Sequence, residues 1–537
     1  MAKTLALTLS LCFLLAFSGC FAQLEQHQTN LWRNLKRMQQ HRVRAKTDCS
    51  FQRLNAQEPA YRFEAEAGVT EMWDDNSQEF QCAGVQAIRR TIEPQGLVLP
   101  YYTNTPKLIY VIQGRGVLGT VFPGCAETYE TELRNPQELR GSDRRRGGEQ
   151  SSVDRHQKVR RFSPGDVLAV PAGVTIWAYN DGKEPIVTIS LADNGNDINQ
   201  LDLNHRNFFL AGNPSSSRLS SGQGRRQEQH FQSRRQQQHG FRGQSGEHNN
   251  ILNGFDEEIL SEIYNLDTET IRNNIQGQND DRGSIVFAPS LELMLPEYDE
   301  EEQYQRPGQR MQRRERSQSG RPNGLEETFC TMKLRQNIGH SIRADVYSPR
   351  GGRISTANSQ TLPILSYLQL SAEKGVLYDN AIMAPYWVVN AHAMIYVTRG
   401  RARIQVVGNR GECVFDDEVR EGQILVVPQN FVVIKKATNE GFEWVSFKTN
   451  DNAMNSQLAG RLSTLKSMPI EVLMNSYQMS REDASSLKYG RQEATLLSPS
   501  TTYSSRGRGQ HVSTEVTPTE VTPTEVKPTE VVVPSEV

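Results

Sequence analysis

The chain has 537 residues, with 60 Lys and Arg against 62 Asp and Glu, a formal net charge of -2, and 36% hydrophobic residues. Near-neutral charge removes any global electrostatic case for nucleic acid or an anionic membrane as partner, and the low apolar fraction excludes a multi-span membrane protein. The polar excess is of one kind: 46 Arg, 41 Gln and 32 Asn together make up 119 residues, whereas Lys contributes only 14.

The N-terminus reads as a secretory signal: Lys3, an apolar run from Leu5 to Phe17, then small residues before a predicted cut between Ala22 and Gln23. Phe17-Ser18-Gly19-Cys20 can also be read as a lipoprotein box, but Phe stands where Leu is usual. Later stretches fall short of the roughly 20 apolar residues a span needs, so the mature chain is expected to be soluble. Cys12 and Cys20 leave with the signal, and Cys49, Cys82, Cys125, Cys330 and Cys413 remain. In an oxidising lumen four of these pair, with three pairings open, and no C-x-x-C or clustered His suggests zinc. Cys413 sits in the strand-like run 411–415, which predicts an inert buried thiol.

Two halves repeat one pattern. Leu108-Ile-Tyr-Val-Ile-Gln-Gly114 is answered by Met394-Ile-Tyr-Val-Thr-Arg-Gly400, and Gly165-Asp-Val-Leu-Ala-Val-Pro171 by Gly422-Gln-Ile-Leu-Val-Val-Pro428. The first pair is 286 residues apart and the second 257, so the first half carries 29 additional residues, assigned to a surface insertion around Glu138 to Lys158. Short β-branched runs bounded by Gly, Pro, Asn and Asp predict antiparallel strands, and their even spacing predicts a sandwich or jelly-roll barrel in each half. A helical segment follows each: Phe255, Ile259 and Ile263 recur at four-residue spacing over about 251–276, and Pro469 is predicted at a first helical position, leading to a second helix from Ser480. Residues 215–249, 297–321 and the Thr-Glu-Val-Thr/Lys-Pro repeats from Thr514 are low-complexity and are expected to be disordered. Arg225-Arg226 and Arg234-Arg235 have only Phe231 and Phe241 as stacking rings nearby, and read as solvated loop rather than an RNA tract.

With the two barrels and the G-x5-P-x-G turn at Gly165–Gly173 in view, the chain resembles the bicupins. The octet Asn323-Gly324-Leu-Glu-Glu-Thr-Phe-Cys330 is similar to the processing site of legumin-type (11S) seed storage globulins. The resemblance covers about residues 23–491. It implies a mainly β fold of two cupin jelly-roll barrels, each with a small helical extension. The expected layout is a signal (1–22), an N-terminal cupin domain (23–290), a variable charged linker (291–323), a C-terminal cupin domain (324–491) and a disordered tail (492–537). It further implies disulfides Cys49–Cys82 and Cys125–Cys330, and cleavage between Asn323 and Gly324 by an asparaginyl endopeptidase. Trimers as precursor, hexamers after cleavage, and delivery through the secretory pathway to the storage vacuole complete the expectation.

Catalytic cupins resembling this fold bind a metal through His-x-His, a Glu and a later His, because imidazole and carboxylate lone pairs hold a divalent ion with a coordination position left open. Counting back from the turn glycines places the His-x-His positions on Pro100 and Tyr102 and on Tyr386 and Val388. The Glu position falls on Lys107 and Ala393, and the late His on Ile176 and Val433. None is a usual metal ligand apart from the two phenols. His392 is expected to be a packing or capping residue. A nucleophile elbow, a P-loop and a dinucleotide fingerprint are all missing. The expectation is therefore a storage protein without catalytic site, metal or cofactor. The competing reading is a metal-independent bicupin that holds a small ligand such as a sugar, or a degenerate enzyme using Tyr102 or Tyr386.

Overall fold

The computed structural model describes residues 49–127, 129–132, 153–157, 159–214, 218–219, 250–277, 280–289, 291, 330 and 332–499. The cut at Ala22 and Gln23, the bond between Asn323 and Gly324, nearly all of the charged linker and the Thr-Glu-Val-Thr/Lys-Pro repeats lie outside these residues.

The first half runs β1 (Tyr61–Ala65), β2 (Gly68–Met72), helix α1 (Gln78–Ala83), β3 (Val85–Ile92), β4 (Gly96–Thr103), β5 (Lys107–Gln113), β6 (Gly116–Val121), β7 (Tyr129–Glu132), β8 (Val153–His156), β9 (Val159–Phe162), β10 (Asp166–Val170), β11 (Thr175–Tyr179), β12 (Ile186–Asp193), β13 (Asn207–Phe209), β14 (Arg218–Leu219), helix α2 (Glu257–Tyr264) and β15 (Ile285–Phe287). The second half runs β16 (Arg335–Asn337), β17 (Val346–Ser348), β18 (Gly352–Ala357), β19 (Ser371–Leu377), β20 (Ile382–Val388), β21 (Ala393–Val407), β22 (Cys413–Arg420), β23 (Ile424–Val427), β24 (Val432–Lys448), β25 (Asn455–Gln457), helices α3 (Ile470–Tyr477) and α4 (Arg481–Tyr489), and β26 (Leu496–Leu497). All pairings are antiparallel. One sheet of the first half has the order β14-β1-β2-β3-β12-β5-β10-β16, and a second has β13-β4-β11-β6-β9.

The repeat motifs fall at the folds of this architecture. Gly114 (φ 80°) separates β5 from β6, and Gly400 (φ 73°) marks the register shift inside the 15-residue β21. A residue with a Cβ would be strained at either corner. In the second barrel Trp444 lies flat on Gly375 of the paired strand: a Cβ built there would sit 2.0 Å from the indole ring. The insertion between Gly114 and Gly165 springs from the β7–β8 hairpin, and its residues 133–152 lie outside the described set.

The helices start where side-chain caps allow. Asp256 accepts from the N–H groups of Glu258 and Ile259, and Ser480 accepts from Asp483. Pro469 precedes α3 at the cap rather than at the first helical position, with ψ 142°.

The two halves are interlocked rather than merely joined. Phe51 and Leu54, from the arm before β1, are buried in the core of the C-terminal barrel, and Gln57 exchanges both backbone hydrogen bonds with Ile424 (2.8 and 2.9 Å). In return β16 adds to β10 of the first barrel, with Leu334 and Ile338 buried in its core and Arg335 paired to Asp166 at 3.1 Å. Cys49–Cys82 (Cα separation 5.3 Å) ties the arm to α1, and Cys125–Cys330 (5.4 Å) ties the segment leading to β16 to the end of β6. Tyr110 and Leu168 share one cluster with Tyr396, Val426 and Phe447, so the facing sheets of the two halves form a common core.

Three expectations need correction. The boundary at 324 does not divide the packing, because 49–57 belongs with the second barrel and 334–338 with the first. The tail is ordered past 491: β26 pairs with β20, and Leu496 is fully buried. Cys413 is exposed rather than a core thiol. It lies at the first position of β22, beside a register shift, and its sheet neighbours Val414 and Phe415 take the buried positions instead.

Candidate functional site

The interior of each barrel holds charged side chains where the sequence pattern suggests only a core. In the first barrel Tyr101 points inward from β4 opposite Ile176 of β11. Its hydroxyl accepts from Lys107 Nζ at 2.6 Å, and Arg90 of β3 donates to the same oxygen. Both cations also lie over the ring, the Lys107 nitrogen 4.3 Å and the Arg90 Cζ 4.8 Å from its centroid. Burial alone would raise the Tyr101 pKa, but Arg90 and Lys107 outweigh it and bring the phenol down to about 8. Nearby His205, partly buried, hydrogen-bonds Thr105 through Nδ1 (2.8 Å). Burial, then the charges of Lys107 and Arg90, press its pKa down to about 3, so the ring stays neutral.

The second barrel makes a similar pair from different strands. Lys435 of β24 is completely buried and donates to Tyr386 Oη of β20 at 2.8 Å, with its ammonium 4.2 Å from the Trp444 ring centroid. Here an acid is present: Glu373 of β19 takes an ion pair from Lys448 at 2.6 Å and a further contact from Asn455. Burial would raise the Glu373 pKa, but Lys448 and Lys435 hold it down at about 2. Burial drives Lys435 the other way, to about 7, although Glu373 partly opposes that.

Six of the eight positions deduced by counting from the turn glycines are buried: Tyr386, Val388, Ala393 and Val433 in the second barrel, and Lys107 and Ile176 in the first. In the first barrel, however, the inward phenol is Tyr101. Tyr102 and Pro100 are only partly buried, and Tyr102 stacks on Phe208 with 4.9 Å between centroids. The connection from β4 to β5 is one residue shorter than that from β20 to β21, and a one-residue slip exchanges the faces of a strand. His392 is half-buried at a strand end, its Nδ1 accepting from the backbone of Gln429 at 3.3 Å. Arg90, Glu373, Lys435 and Lys448 were not foreseen, since nothing in a β-branched run announces that its charged residue faces inward. Among the described residues no three His, Cys, Asp or Glu side chains converge as metal ligands.

Two jelly-roll barrels packed on a shared core, with interiors filled by side chains, define a bicupin. Residues 54–216 and 338–485 match the family described as Cupin. The 11S globulin of Juglans nigra is 50% identical over 94% of this chain and 99% of its own. The crystal structure of pumpkin seed globulin superposes with a TM-score of 0.69 at 46% identity, covering 84% of this chain and all of that one. The coconut allergen cocosin gives a TM-score of 0.67 at 43% identity over 84% of this chain and all of its own. The chain belongs to the legumin-type 11S globulin family of seed storage proteins.

Proposed function

We propose that this chain is a nutrient reservoir of the seed, without a catalytic role, whose Arg, Gln and Asn excess is nitrogen cargo. The 50% identity to the Juglans nigra 11S globulin over nearly the full length of both chains carries this reading. The secretory signal leads it to the storage vacuole, where an asparaginyl endopeptidase cuts between Asn323 and Gly324. The two resulting chains, 23–323 and 324–537, stay joined through Cys125–Cys330. Naming of the coconut relative as an allergen makes allergenicity a matching property to assay.

Self-assembly into trimers, and hexamers after cleavage, is supported by the helices. Phe255, Ile259 (57% exposed) and Ile263 (65% exposed), the apolar stripe legible in the sequence, point to solvent, while only Leu260 of α2 is buried. Val472, Tyr477, Leu487 and Tyr489 on α3 and α4 are exposed too. Such faces suit a second copy of the chain. A sugar inside the first barrel is disfavoured, because the cavity there measures about 40 Å³, room for roughly three waters.

Electrophoresis of the protein purified from seed tests the reading. Under denaturing conditions one band should split into two on reduction, and the protein should carry no stoichiometric metal. A single band that survives reduction would refute the processing step, and an equimolar transition metal would refute the non-catalytic role.

A further inference from the structure

The two barrels differ in how their interior charge is balanced. In the second, Glu373 faces Lys448 and Lys435. In the first, Arg90 and Lys107 share one phenol oxygen, and among the described residues neither is within ion-pairing distance of a carboxylate. The charged groups acting on Lys107 are Tyr101 and Arg90, and those on Tyr101 are Arg90 and Lys107. Lys107 is fully buried and Arg90 partly so; like charges this close repel where water is scarce, and a buried charge is ordinarily paired. The cavity of about 40 Å³ opens beside them, with Arg90, Tyr101 and Thr188 on its wall together with Ile109, Leu118 and Ile176. Apart from its bond to Tyr101, the Arg90 fork has no partner among the described residues, nor has the Thr188 hydroxyl, which stands directly across from Arg90 in the β3–β12 pairing.

We propose that the interior of the N-terminal barrel binds a small planar anion of the acetate class, held by the Arg90 guanidinium and the hydroxyls of Tyr101 and Thr188. The planar fork matches the two oxygens of a carboxylate, and the apolar wall receives its short alkyl end. Lys107 does not line the cavity; it adds positive potential through the shared phenol oxygen. The anion supplies to the first barrel the counter-charge that Glu373 supplies to the second. The site is independent of the storage role and asks nothing of cleavage or assembly.

Calorimetric titration of acetate into the full-length protein, dialysed free of small anions, should show one saturable site per chain. Formate should compete for it, whereas acetamide, neutral and of the same shape, and benzoate, too large for the cavity, should not bind there. Arg90→Met should weaken acetate at least tenfold and Thr188→Val about threefold, and Lys435→Met in the other barrel should leave it unchanged. Absence of saturable acetate binding, equal binding of acetamide or benzoate, or wild-type affinity in a folded Arg90→Met protein would each overturn the proposal. The acetamide and benzoate comparisons need no variant, so they decide the matter even if Arg90→Met does not fold.

Discussion

Glu373 shows how little freedom a buried charge has. Replacing it by Gln leaves Lys448 buried without its partner, and loss of one member of such a pair costs about 3–5 kcal/mol, measurable by urea unfolding. The pH dependence has a definite sign. The folded carboxyl sits at about 2, below an unfolded value near 4.3, so its contribution is present above about pH 4.3 and is lost as pH falls toward 2. Lys435 acts oppositely. Its folded value of about 7 lies below the unfolded value near 10.4, so the folded state is penalised in acid and gains stability as pH rises from about 7 to 10. Lys435→Met should flatten that alkaline rise, and an unchanged slope would assign it to other groups. Tyr101 gives a spectroscopic counterpart: of the 17 tyrosines, one should form tyrosinate near pH 8, and Tyr101→Phe should remove that step. These charges were the least legible part of the chain: counting from the turn glycine reaches Lys107, but nothing in the apolar run 432–434 announces that Lys435 faces inward.

Strands, turns and caps could be read almost directly. Gly114 and Gly400 were found from their repeat alone, and both turn out to need positive φ; Gly375, whose role depends on a tryptophan 69 residues away across the sheet, could not be. Gly375→Ala should displace Trp444 and lower the melting temperature, whereas the same change at Gly173, which has open space around it, concerns only its φ. The helical period of α2 was equally plain, but period alone does not say what covers the apolar side. The structure leaves Ile259 and Ile263 bare, and Ile259→Asp is therefore expected to yield monomers in sedimentation with little loss of monomer stability. Trimers that persist in that variant would separate the helix from assembly. The slip between Tyr101 and Tyr102 belongs to the same scale: a motif fixes which strand, and a one-residue change in loop length fixes which face.

For the molecule as a whole, Asn323→Gln should give a protein that stays uncut and trimeric by sedimentation, and hexamers in that variant would contradict a coupling of cleavage to assembly. The crossed arms make a second prediction. After cleavage, Phe51 and Leu54 still reside in the core of the other chain, and Leu334 and Ile338 in that of the first, so reduction of Cys125–Cys330 under native conditions should leave the two chains associated. Their separation should need denaturant.

That disulfide then has a meaning beyond staple. The bridge between Gln57 and Ile424 forms in the precursor as a single-molecule event, whatever the dilution. Once the backbone is cut, the same pairing becomes a meeting of two chains, governed by their concentration unless Cys125–Cys330 keeps them tethered and sustains a high effective concentration. Mature protein unfolded with its bridge intact should therefore refold independently of dilution, while reduced mature protein should recover only at high concentration or not at all. Cleavage between Asn323 and Gly324 would leave the fold a return path that runs through a single sulfur–sulfur bond.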